Sequence, residues 1–226
     1  MSGGVVVPAL AAFATAAILA LLLTPIVRRF AHRFDVLDHP EERRVNTSPV
    51  PRGGGIAVAA AFVIVSLGLL AADSLLGIWS DADAPAASEV VALVGGAALA
   101  ALIGSLDDWF DLRARLQLAG QLLVAGVAIG LGITVTLLAN PFGPGFIRLS
   151  GVFGAAFAVL WILGMINSIN FIDGLDGLSS GVALIAALTL GTISLTGPID
   201  QPAIALFCFA MAGALLGFLR WNLHPA

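Results

Sequence analysis

An all-α, polytopic membrane protein is the fold class this sequence predicts, on three observations. The 226 residues are 59% hydrophobic and only 11% charged, against about 25% charged in soluble domains. The charges fall in clusters, and the uncharged stretches between them are long enough to cross a bilayer. Within those stretches the apolar residues run continuously instead of alternating, which favours helices over barrel strands. Composition excludes other classes too. So few charges do not cover a soluble domain of this size. Cys208 is the single cysteine, so there is no disulfide framework. A mean hydropathy of +1.04 is the opposite of a disordered chain.

The uncharged runs are 1–27, 53–72, 90–106, 116–147, 149–172, 177–199 and 201–219. A spanning helix needs about 20 residues, and Gly and Pro near the run ends mark turns. Seven spans are therefore expected, near 5–27, 53–72, 89–106, 116–138, 152–169, 179–196 and 203–220. Residues 1–8 carry no Lys or Arg, so the first span lacks the basic start of a signal peptide and reads as a retained helix. Gly53, Gly54 and Gly55 open the second span, and Asp107 and Asp108 close the third. Arg113 and Arg115 precede the fourth, and Arg148 the fifth. Gly177 precedes the sixth, and Arg220 with Trp221 closes the seventh. No repeat, linker or low-complexity tract divides the chain, so residues 1–226 read as one membrane domain.

There is no lysine, so the arginines alone set orientation. Alternate loops hold Arg28, Arg29, Arg33, Arg43, Arg44 and Arg52, then Arg113 and Arg115, then Arg220; the other loops hold only Arg148. The positive-inside rule places the arginine-rich side in the cytoplasm, with the N-terminus outside and the C-terminus inside. The opposite loops carry Asp73, Asp81, Asp83, Glu89 and Asp200.

This topology gathers four polar clusters on the cytoplasmic side. The first runs from Asp38 through Arg43, Arg44, Asn46 and Arg52 to Gly55. Its arginine forks suit phosphate, and three glycines opening a helix leave backbone N–H groups accessible to an anion. A plain basic loop is the bland alternative. The second is Asp107, Asp108 and Asp111; three carboxylates this close need a cation or protons to be tolerable. Mg²⁺ held by one or two carboxylates and substrate phosphates fits, and a solvated helix end answering Arg113 and Arg115 is the alternative. In the third, Asn167, Asn170, Asp173 and Asp176 recur every third residue, a polar stripe if helical. Gly174 and Gly177 argue instead for a broken helix. The fourth, Arg220 to Ala226, reads as an interfacial anchor. His32, His39 and His224 lack metal-ligand spacing, and no nucleic-acid motif is present.

Three of these clusters resemble, in order, the motifs of the polyprenyl-phosphate N-acetylhexosamine-1-phosphate transferases. This is the family of phospho-MurNAc-pentapeptide translocase and its GlcNAc-1-phosphate-transferring relatives. Residues 38–55 follow the family loop D-x-P-x-x-R-K-x-H-x-x-P-x-P-x-x-G-G. Asp107, Asp108, Asp111 and Leu112 match D-D-x-x-D-L, with Gln121 following. Residues 167–178 match N-x-x-N-x-x-D-G-L-D-G-L, the most specific of the three. The D-L after the aspartate pair is more similar to the GlcNAc-1-phosphate branch.

The resemblance implies a bacterial cytoplasmic-membrane enzyme. It would move N-acetylhexosamine-1-phosphate from a UDP-sugar to polyprenyl phosphate and release UMP, the first membrane step of a cell-wall or surface polysaccharide. The cofactor it implies is Mg²⁺, with Mn²⁺ as a substitute. It implies Asp107 as a base at the lipid phosphate with Asp108 beside it, and Asn170 and Asp108 as metal ligands. Substrate contacts would come from Arg44, Asn46, Arg52, Asp111, Arg115, Asn167, Asp173 and Asp176. Oligomeric state is left open, a homodimer included. Three positions depart from the pattern: Arg44 stands for Lys, Asn46 for His, and Gln117 for a phosphate-contacting Lys. The family also continues past the equivalent of Ala226 into F-M-G-D-x-G-S, so the chain is expected to hold only part of a larger, inactive-when-cut enzyme. Rival readings are an intramembrane prenyltransferase with Asp-rich motifs and an ion-coupled transporter.

Overall fold

The computed structural model describes residues 3–38, 49–77, 85–197 and 199–223. The helices within them are α1 (Gly3–Arg33), α2 (Gly54–Leu76), α3 (Ala87–Phe110), α4 (Ala114–Gly130), α5 (Val152–Ile172), α6 (Leu178–Ser194) and α7 (Pro202–Asn222). Five of these, α1, α2, α3, α5 and α7, are long and apolar enough to cross a membrane. α4 and α6 are apolar but shorter, at 17 residues each. The architecture is the all-α, multi-pass one that the charge gaps predict. Two short antiparallel ribbons join it: β1 (Leu37–Asp38) with β2 (Val50–Pro51), and β3 (Leu137–Ala139) with β4 (Phe146–Arg148).

The fourth span needs correction. It ends at Gly130, not near residue 138, and Leu137 already lies in β3. Gly130 and Gly132 weaken the helix end, with Gly132 at φ 101°. The β-branched run Ile133, Thr134, Val135 and Thr136 then favours extended backbone. An uncharged run shows where a chain is apolar; it does not show where the helix inside it stops.

α7 is the hub. It is mostly buried, between α1, α2 and α6, while α3 and α5 keep most of their apolar surface exposed. Lipid is as apolar as leucine, so close packing of small residues, not hydrophobic burial, must hold spanning helices together. The sequence supplies such a seam. Ala9, Ala12, Ala16 and Ala20 of α1 and Ala210 and Ala214 of α7 share one buried cluster. Gly213 and Gly217 let the two backbones touch. A Cβ on Gly213 would lie 2.0 Å from the Phe13 carbonyl oxygen, and one on Gly217 would lie 2.1 Å from that of Ala17. Both obstacles are backbone, so neither can rotate away. We expect Gly217→Val to separate α1 from α7 and cost on the order of 3 kcal/mol. Thermal unfolding in detergent checks this, with Leu216→Ala on the exposed side as control. Equal midpoints for the two variants would refute the seam.

Helix ends dominate the site. α1 closes with Asp35 in the left-handed region at φ 58°, after which Val36 donates to the Ala31 carbonyl at 2.9 Å. The chain then enters β1, whose register sets Asp38 opposite Val50 and Leu37 opposite Pro51. Arg52 and Gly53 follow directly, and α2 begins.

Candidate functional site

The ends of α1, α3, α5 and α7 and the starts of α2 and α6 meet at one end of the bundle around a cavity of about 600 Å³. Arg52, Gly53, Gly54, Asp108, Asp173 and Asn222 are among the residues lining it. A second cavity of about 410 Å³ is lined by Phe34, Trp109 and Asp111, among others, and shares Arg52 and Asp108 with the first. Described residues of all four polar clusters therefore converge in space, as the topology predicts.

Each charged group is positioned by its own local chemistry. The Arg52 guanidinium donates to Asp38 Oδ1 at 2.8 Å. That hydrogen bond raises the Arg52 pKa above its ordinary value, so the group stays cationic. Asp38 lies opposite Val50, and Arg52, two residues further on, donates from its backbone N to the Val36 carbonyl at 3.1 Å, which puts the two side chains diagonally on one face of the ribbon.

The aspartate pair divides. Successive helical residues point about 100° apart, and the structure uses both directions. Asp108 faces the cavities. Asp107 faces α4, where Gln117 Nε2 donates to both its oxygens at 2.9 and 3.0 Å and Leu112 N donates at 3.0 Å. Asp107 lines neither cavity. Asp111 ends α3 at φ 49°, a conformation aspartate tolerates better than most residues. Asp107 is thus set apart while Asp108 and Asp111 both line the second cavity, and among the described residues no group of three acidic, histidine or cysteine side chains is placed to hold a metal.

The Asn/Asp stripe is broken as its glycines suggest. α5 continues through Asn167 and Asn170 and stops at Asp173. Asn167 exchanges hydrogen bonds with Gln121 of α4, at 2.8 Å from its own Nδ2, and also donates to the Leu163 carbonyl. Asn170 is exposed and lines neither cavity. Asp173 enters the large cavity and accepts a hydrogen bond from Ser179. Asp176 lies in the turn that follows, half-buried, outside both cavities. Arg115 is exposed on α4 and lines neither. Arg44 and Asn46 lie outside the described residues.

Three site residues escape the sequence reading. Ser179 and Ser180 are buried in the first turn of α6. Asn222, placed in the interfacial anchor by sequence, accepts from Gly177 N at 3.1 Å and from Ser180 Oγ at 3.0 Å. A Ser-Ser pair one residue after the Asp176-Gly177 turn was the available signal.

Fold and site define an integral membrane protein whose spanning helices end around a cavity that both arginine and carboxylates line. More particularly, the chain belongs to glycosyl transferase family 4, whose model matches residues 90–226. It is 33% identical over 215 residues to a probable undecaprenyl-phosphate N-acetylglucosaminyl 1-phosphate transferase of Bacillus subtilis, covering 95% of this chain and 56% of that protein. It is 35% identical over 219 residues to a decaprenyl-phosphate N-acetylglucosaminephosphotransferase of Mycolicibacterium smegmatis, covering 94% and 53%. A phospho-N-acetylmuramoyl-pentapeptide-transferase of Bacillus cytotoxicus is 30% identical over 237 residues, covering 99% and 68%. The chain spans a little over half the length of the first two relatives.

Proposed function

We propose that this chain carries part of the active site of a transferase that moves N-acetylglucosamine-1-phosphate from its UDP ester to polyprenyl phosphate. One observation carries the reading: two cavities share a single Arg52–Asp108 wall, in a chain similar over nearly all its length to GlcNAc-1-phosphate transferases. Two phosphate esters that must meet need two adjoining compartments and a shared charged boundary. An oxygen of the lipid phosphate attacks the sugar-bearing phosphorus. The bond from that phosphorus to the bridging oxygen breaks, and UMP leaves with the electron pair. Phosphoryl transfer is mainly positioning and charge stabilisation. Arg52 and the backbone N–H groups at the start of α2 supply donors, and Asp108 faces both compartments.

The donor set suits Mg²⁺, which takes one or two protein carboxylates and completes its shell with phosphate oxygens and water. Asp108 and Asp173 line one cavity and would hold it, in place of the Asp108–Asn170 pair expected from sequence; when bound it neutralises phosphate charge. Arg28 and Arg52 lie at the cavity end, and Arg148 precedes α5, whose far end carries Asp173; this asymmetry supports a cytoplasmic site in the bacterial inner membrane.

The test is exchange of labelled UMP into UDP-GlcNAc, in membranes holding the gene's full product and undecaprenyl phosphate. We expect exchange that EDTA abolishes and Mg²⁺ restores. Exchange with UDP-MurNAc-pentapeptide alone would move the enzyme to the pentapeptide branch, and no exchange with either donor would overturn the reading.

A further inference from the structure

A second arginine lines the large cavity, and it is held by an arrangement that the transferase motifs do not include. Pro25 lies inside α1. Proline has no N–H, so the carbonyl four residues earlier, that of Leu21, loses its helical donor. Trp221 of α7 fills the gap: its indole Nε1 donates to Leu21 O at 3.0 Å. The ring so fixed lines the cavity together with Arg28. The Arg28 guanidinium lies 5.9 Å from the ring centroid, within cation–π range, and that of exposed Arg220 lies 5.7 Å away. The two cavity arginines differ in one respect. Arg52 is committed to Asp38, whereas among the described residues no carboxylate pairs with Arg28.

We propose that Arg28 is a phosphate-binding residue of this cavity, and that Trp221 positions it by supplying the donor Pro25 removes from α1. An arginine lying on an aromatic face keeps its edge N–H groups free for bidentate contact with phosphate. An uncommitted cation can take that contact without breaking an ion pair. The ligand's identity rests on the transferase reading; its chemistry, a phosphate or diphosphate ester, does not. The phosphate belongs either to the sugar nucleotide or to the lipid.

The experiment uses the gene's full product in detergent and follows KM for each substrate, kcat, and the rise in unfolding temperature produced by inorganic pyrophosphate. Arg28→Gln is expected to raise KM for one substrate about tenfold, the loss typical of a charge-assisted hydrogen bond, with a smaller change in kcat. The substrate whose KM moves identifies the phosphate. Arg28→Lys should recover part of the loss, because charge remains and the fork does not. Trp221→Phe should reproduce the Arg28→Gln effect within a factor of about three. In a Pro25→Ala background, where Leu21 O regains a helical donor, Trp221→Phe should do less harm than in wild type. Unchanged KM for both substrates in Arg28→Gln overturns the binding role. A Trp221→Phe loss equally large with Pro25→Ala overturns the positioning role. If wild type shows no exchange, yet pyrophosphate raises its unfolding temperature and not that of Arg28→Gln, the transferase reading fails and Arg28 stands.

Discussion

Asp108→Asn is expected to lower UMP exchange on the order of 10²–10³-fold, with Asp107→Asn falling by about tenfold. The order is the informative part, because sequence resemblance assigns the base to Asp107. In the structure Asp107 spends both oxygens on Gln117 and one also on Leu112 N. A carboxylate so occupied ties the end of α3 to the start of α4. Asp108 lines both cavities, where a carboxylate can meet phosphate-bound cation or proton. Asparagine preserves shape and removes the charge, so folding is little disturbed at Asp108. At Asp107 the neutral amide keeps one acceptor for Leu112 N and loses part of the Gln117 pairing. The measurement is initial exchange rate at saturating Mg²⁺, with detergent unfolding midpoints as the folding control. The reverse order would return the catalytic role to Asp107 and make the Gln117 contact a resting arrangement. Gln117→Leu adds an independent check: if Asp108 is the catalytic carboxylate, releasing Asp107 should change activity severalfold at most.

Much of this architecture is legible in the sequence, and the exceptions have physical causes. Charge is costly in hydrocarbon, so the gaps between charges mark the apolar helices, and arginine asymmetry brings the polar clusters to one end. Direction within a cluster is harder. Asp107 and Asp108 are neighbours in the chain and part company only because a helix turns about 100° per residue. Asn167, Asn170, Asp173 and Asp176 look equivalent at a spacing of three. The helix stops at Asp173, so only Asp173 of the four lines the cavity. The Gly213–Gly217 seam was hidden because glycine and alanine in an apolar run look alike whether they face lipid or a partner helix. The β3–β4 ribbon was hidden for a related reason, since no charge interrupts residues 116–147. Arg28 and Trp221 read as topology and anchor until Pro25, far from Trp221 in sequence, leaves the Leu21 carbonyl for the indole to fill.

Asn222→Leu is expected to reduce kcat by about 10–100-fold while leaving the helices assembled. The argument begins at Gly177, which starts α6 in the left-handed region at φ 75°. Its N–H and the Ser180 hydroxyl both end on Asn222 Oδ1, which joins the start of α6 to the end of α7. Ser179, between them in sequence, donates to Asp173. The side chain of Asn222 therefore fixes the turn that carries Asp173, without needing to touch the reacting atoms itself. Leucine removes the acceptor and leaves Ser180, which is 6% exposed, with an unpaired hydroxyl. Such a group costs about 1–3 kcal/mol, and the strain is relieved most easily by movement of the turn. If Asp173 helps hold Mg²⁺, the Mg²⁺ concentration for half-maximal exchange should rise along with the loss of rate. Asn222→Asp is the decisive partner variant. It keeps an oxygen acceptor in the same place, so it should retain most of the activity that leucine destroys. An aspartate variant as impaired as the leucine one would mean that the amide nitrogen, and not the shared acceptor, is what the site requires of Asn222.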